Sequence, residues 1–138
     1  MRFFVSVVVL FVLGIYQVSA GTMASRLAKF NCKGTASEAE MGACASRHLN
    51  KADKELNQLY GKLMASYKDD RPVRLNVGTR ADFLRKAQRE WIKFRDVSCK
   101  LETYDSIGGS GFGTIYTFCL LKYTQERVLY LRELEGAP

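Results

Sequence analysis

The sequence predicts an all-α fold: an antiparallel bundle of three long helices plus one short N-terminal helix, stapled by two disulfides. Three observations carry this. Past the N-terminal apolar run, apolar residues recur at steps of three and four, with no sustained strand-like alternation. Polar segments containing Gly or Pro separate the periodic stretches. The four cysteines, Cys32, Cys44, Cys99 and Cys119, fall near the ends of predicted helices.

Residues 1–20 read as a cleaved Sec signal peptide. Arg2 precedes an apolar run from Phe3 to Leu13, and Val18-Ser19-Ala20 forms a small-residue cleavage site before Gly21. The run is shorter than the ~20 apolar residues of a membrane span. Gly21 stands where a lipoprotein would carry its lipidated Cys, so neither a stable membrane anchor nor a lipid anchor is expected. Residues 21–138 then form one domain with a single core. A periplasmic or secreted location follows.

Residues 21–34 read as an irregular segment. Thr35-Ala-Ser-Glu38 is a capping-box pattern that predicts a short helix to about Cys44. Ser46 is expected to cap the next helix, whose Leu49, Ala52, Leu56, Leu59, Tyr60, Leu63 and Tyr67 share one face with Asp53 on its edge. Residues 68–78, with Pro72 and Gly78, predict a polar surface loop. Thr79 with Asp82 opens the third helix, running to about Glu102.

That helix carries the most informative stretch. Leu84, Gln88, Trp91, Arg95 and Cys99 lie on one face, with the chain's single Trp as core anchor. Polar groups on a core-facing stripe must be hydrogen-bonded, and charges there paired. Residues 104–113 follow, Gly-rich at their end. They lack a preceding strand and the Lys-Ser/Thr of a phosphate loop, so they predict a flexible connection. The fourth helix is expected from about Thr114 to Leu134, with a stripe of Tyr116, Leu120, Tyr123, Thr124, Arg127, Leu131 and Leu134.

Four cysteines allow three connectivities. Cys99 and Cys119 bracket the Gly-rich loop, and Cys32 and Cys44 bracket the short helix, so these are the expected pairs. There is no C-x-x-C, and His48 is the only His, so no metal or other cofactor is expected.

Cys32, Thr35, Glu38 and Cys44 resemble the opening pattern of the LprI-like family of secreted bacterial proteins, named for lysozyme inhibition. Leu49, Asp53, Leu56, Asn57 and Tyr60 match its next helix. Gln88, Trp91, Arg95, Asp96 and Cys99 match its Gln-x-x-Trp-x-x-x-Arg-Asp-x-x-Cys motif. Cys119, Leu120, Thr124 and Arg127 match its last. The resemblance spans residues 32–134. It implies an inhibitor-type protein whose partner is a lysozyme or another peptidoglycan hydrolase.

The residues themselves narrow the function. Asp53, Gln88, Arg95, Asp96, Thr124 and Arg127 project to neighbouring helix faces and are expected to form an internal polar network rather than a ligand site. No nucleophile and base stand at a recognisable spacing, so no enzyme is expected. Glu38 and Glu40 suit a helix N-terminus better than paired acid–base chemistry. The seven Tyr fall mostly on helical stripes, which with export argues against a nucleic-acid role.

The net charge is +7, or +6 without the leader, which removes only Arg2. Such a balance attracts anionic partners. The alternative to an inhibitor is therefore an envelope module that binds anionic polymers. An inhibitor needs a projecting loop, and the candidates are 68–78, with Asp69 and Asp70, and 104–113, with Asp105 and Phe112 beside Glu102.

Overall fold

The computed structural model describes residue 32 and residues 37–74 and 76–136. The expected signal peptide and residues 21–31 and 33–36, Thr35 among them, lie outside them. Among the described residues three helices follow in order: α1 (Glu38–Ser66), α2 (Arg80–Glu102) and α3 (Phe112–Gly136), with a 3-10 turn at Tyr104–Ser106. The described residues contain no strand.

The expected short first helix is not a separate element. α1 runs unbroken through Cys44, Ala45 and Ser46. Ser46 can cap a helix only where the chain breaks, and no Pro or loop residue forces a break here. The capping box sits at Ser37 and Glu40, two residues beyond the expected start. The Ser37 hydroxyl accepts from the Glu40 amide at 3.3 Å, and the Ser37 amide donates to Glu40 Oε2 at 3.1 Å. Gly42 is the one weak helix former in the joining segment. A Cβ there would lie 3.0 Å from Thr114 Oγ1, so its absence lets α1 approach α3 closely.

α2 opens as expected. Thr79 Oγ1 accepts from the Asp82 amide at 3.2 Å, and Asp82 Oδ2 accepts from the Thr79 amide at 3.1 Å. The Thr79 hydroxyl also donates to Asp82 Oδ2 at 2.8 Å, and this bond, then the one from the Thr79 amide and then Arg85, hold the Asp82 carboxyl below its ordinary range. The turn after α2 contains Gly108 at φ +86°, a left-handed conformation that favours Gly.

α3 lies between the other two helices. The core has two parts. At one end, Cys44, Ala45 and Ala52 of α1 meet Phe118 and Leu121 of α3, with Cys32. At the other, Leu56, Leu59 and Leu63 meet Val128 and Leu131, with Leu84 from α2.

The expected α3 stripe is turned from the observed one. Thr124 and Leu131 belong to both, but Phe118, Leu121 and Val128 are buried where Tyr116, Leu120, Tyr123 and Leu134 are only partly so. The physical reason is that α3 faces two helices. Its buried arc is wider than one stripe, and the residues chosen from sequence border the α2 side.

Both disulfides form as expected, Cys32–Cys44 and Cys99–Cys119, with Cα separations of 6.0 and 5.6 Å. The first holds residue 32 against α1, and the second fastens the end of α2 to α3. Among the described residues no helix is long and apolar enough to cross a membrane.

Candidate functional site

α2 brings Gln88, Trp91, Arg95 and Asp96 against Asp53 of α1 and Thr124 and Arg127 of α3. Arg95 is the hub. Its Nε donates to Asp96 Oδ1 at 2.9 Å, and its Nη1 donates to Thr124 Oγ1 at 3.3 Å. Asp53 Oδ1 lies 3.6 Å from the same Nη1. The guanidinium rests over the Trp91 ring, 5.0 Å from its centroid. A helical step of four places Arg95 there.

Arg127 is held differently. Its Nε donates to Gln88 Oε1 at 3.0 Å, and its guanidinium lies 5.7 Å from the Trp91 centroid and 4.8 Å from that of Tyr130. Arg127 forms no ion pair among the described residues, and its buried Nη2 has no hydrogen-bond partner. Burial lowers its pKa from the ordinary arginine value.

The network is not sealed. Thr124 is fully buried and Gln88 nearly so, but the Asp53 and Asp96 side chains are 42% and 41% exposed. Trp91 is partly buried and packs on the edge of the core. Burial raises the Asp53 pKa, with Arg95 opposing the rise and Asp96 adding to it. An open cleft of about 560 Å³ lies between α1 and α2 here. Asn57, Tyr60, Arg85 and Arg89 line it beside Asp53 and Arg95. The sequence reading did not single out Arg85 and Arg89. Their i,i+4 spacing was the available signal, but an amphipathic helix has many such charged pairs on its solvent face.

The two candidate loops lie at opposite ends of α2, which at 23 residues is about 34 Å long. In the first, Asp69 is exposed, while Asp70 is engaged by the Arg80 guanidinium, which ties the loop to the start of α2. In the second, Asp105 is exposed on the 3-10 turn. Glu102 belongs to α2 and is also engaged. It accepts from the Tyr123 hydroxyl at 2.6 Å and lies 3.6 Å from Lys122 Nζ. The bond to Glu102 raises the Tyr123 pKa. Phe112 is the first residue of α3 and stacks on Tyr116 at 5.6 Å. Of the four acidic residues in or beside these loops, Asp69 and Asp105 make no ion pair among the described residues.

His48 lies within 4.8 Å of the Cys32 and Cys44 sulfurs. Those sulfurs are bonded to each other, so the thiolates a metal would need are not available.

These features define a class: a small helical domain, stapled by two disulfides, with a semi-exposed polar cluster and connecting loops at its two ends. The family model described as lysozyme inhibitor LprI matches residues 31–131, and the chain belongs to that family. It is also 31% identical over 108 residues to an uncharacterised protein of Rhizobium meliloti (strain 1021), covering 75% of this chain and 78% of that one. No solved structure gives a significant match.

Proposed function

We propose that this protein is an extracytoplasmic inhibitor that binds a lysozyme-like cell-wall hydrolase. The observation that carries the reading is the family match over residues 31–131. Two disulfides suit an oxidising compartment, and the apolar N-terminal run suits export. The protein acts by occupying an enzyme, without turnover of its own.

The segment between α2 and α3 is the better candidate to enter a substrate cleft. Tyr104 and Ile107 are 70% and 55% exposed, and the Cys99–Cys119 bond fixes the helices on either side. A loop held in place loses less freedom on binding. The loop between α1 and α2 also exposes an apolar tip, Val73, but no disulfide brackets it.

Charge narrows the partner. A chain of +7, or +6 without its expected leader, repels a basic lysozyme instead of being steered to it. Two of the four acidic residues that could offset this are already engaged within the protein. Binding is therefore expected to be better to acidic or neutral hydrolases. Inhibition of lysozymes of different net charge, each at low and high salt, tests this. The expected result is stronger inhibition of the less basic enzymes, and a gain with salt for the basic ones. Tight inhibition of a basic lysozyme that salt weakens would refute the charge argument. Failure to bind any hydrolase, with salt-sensitive binding to anionic envelope polymer, would replace the inhibitor reading with the polymer-binding one.

A further inference from the structure

α2 carries a second apolar row that the core does not use. Phe83, Ala87, Phe94, Val97 and Leu101 follow at steps of four, seven, three and four, the spacing of a helix-packing seam. Phe83, Phe94, Val97 and Leu101 are 57%, 58%, 64% and 76% exposed. α3 continues the surface. Phe94 meets Tyr123 edge-on at 5.8 Å, and Phe83, Ala87 and Tyr130 line one depression of about 220 Å³. Glu90 falls within this row and interrupts it, paired to Lys93, and the apolar side chains on either side of it form an exposed surface of the kind that marks an interaction site.

Charges border both edges of the face. Lys86, Lys93 and Lys100 stand seven residues apart along the outer side of α2, and Glu126 and Glu133 stand seven apart on the outer side of α3. The bonds Gln88–Arg127 and Arg95–Thr124 fix the level of one helix against the other. They place Lys86 within about one turn of Glu133 and Lys93 within about one turn of Glu126.

We propose that this face pairs with the same face of a second copy, about a two-fold axis running along the helices. That operation lays α2 of one copy over α3 of the other. It sets Lys86 and Lys93 opposite Glu133 and Glu126 of the second copy at matching levels. Laying α2 over α2 would instead oppose lysine rows, which like charges disfavour. Lys93 also reaches Glu90 at 3.0 Å, but that pair is exposed, contributes little and can exchange. The half-exposed aromatic rings offer roughly 100 Å² each. With Val97 and Leu101 the face comes to on the order of 600 Å² per copy, near the ~800 Å² on each side of a standard interface. The proposal does not depend on which enzyme, if any, the protein inhibits.

Sedimentation velocity on protein recovered after expression of the full chain tests it. Wild type is expected to form a dimer that salt weakens. Lys86→Glu with Lys93→Glu, and separately Glu126→Lys with Glu133→Lys, are each expected to weaken it at least about tenfold. Mixing the two double variants is expected to restore a heterodimer, because one then carries Glu at all four matched positions and the other Lys. Restoration also shows that both variants are folded. A wild type that stays monomeric at about 100 μM, the upper end of a weak-interface assay, overturns the proposal. So does a dimer indifferent to both charge swaps. Binding of a monomeric wild type to phosphatidylglycerol vesicles through the lysine row overturns it in favour of a lipid surface.

Discussion

Arg95 meets oxygens contributed by all three helices, while Arg127 meets a neutral amide and two rings. In the sequence both are single arginines in the middle of an apolar stripe. A fully buried pair broken at one partner costs about 3–5 kcal/mol, because the other charge is stranded. Here Asp53 is 42% exposed and water can solvate it. Arg95→Ala is therefore expected to cost less, about 2 kcal/mol, from the lost hydrogen bonds and the contact with Trp91. Urea denaturation measures this, and partner binding should fall only with the folded fraction. Unchanged stability with lost binding would move Arg95 into the binding site.

Asp53 gives a pH test. Its folded pKa lies above the ordinary 3.8, chiefly through burial, so the folded state holds its proton more tightly than the unfolded state. Acidification from neutral pH down through the raised folded value toward 3.8 therefore favours folding at this site. Asp53→Asn removes that contribution. Wild type should gain stability relative to the variant across that window, and a relative loss would show that the Arg95 attraction outweighs burial.

Among the elements, α2 is the most weakly seated. Leu84, Gln88 and Cys99 are its buried residues, whereas α1 and α3 share most of the core. The Cys99–Cys119 bond closes a segment with a sequence separation of 20, worth about 3 kcal/mol by loop entropy. Replacing both cysteines with Ser is expected to release α2 first. Amide exchange should speed up along α2 while α1 and α3 stay protected. Uniform loss of protection over all three helices would show that α2 is an obligatory part of one cooperative unit.

At the scale of the whole molecule, the loops at the two ends of α2 are too far apart to enter one narrow cleft together. An inhibitor built this way presents one end, or uses a helical face. Substitution of Tyr104 and Ile107 by Ala should then reduce inhibition without a loss of stability, because both side chains are exposed. An equal effect from Val73→Ala would move the contact to the other end. The proposed dimer leaves both ends open, since its contact runs along the sides of α2 and α3.

The sequence by itself determined the helical class, the disulfide pairs and the start of α2. Each rests on local physics: the helical period, the short stretch between paired cysteines, and the reciprocal bonds of Thr79 and Asp82. The resemblance in its motifs identified the family. Three matters were decided only by tertiary structure. α1 runs through Ser46 because a cap forms only where a helix actually ends, and Gly42 can stay helical against Thr114. The buried face of α3 depends on where both neighbours stand, which one stripe does not encode. The polar cluster opens to water through the cleft between α1 and α2 beside Asp53 and Arg95. Spacing put these side chains on facing sides of their helices, but the distance between the helices is set by the packing of the whole bundle.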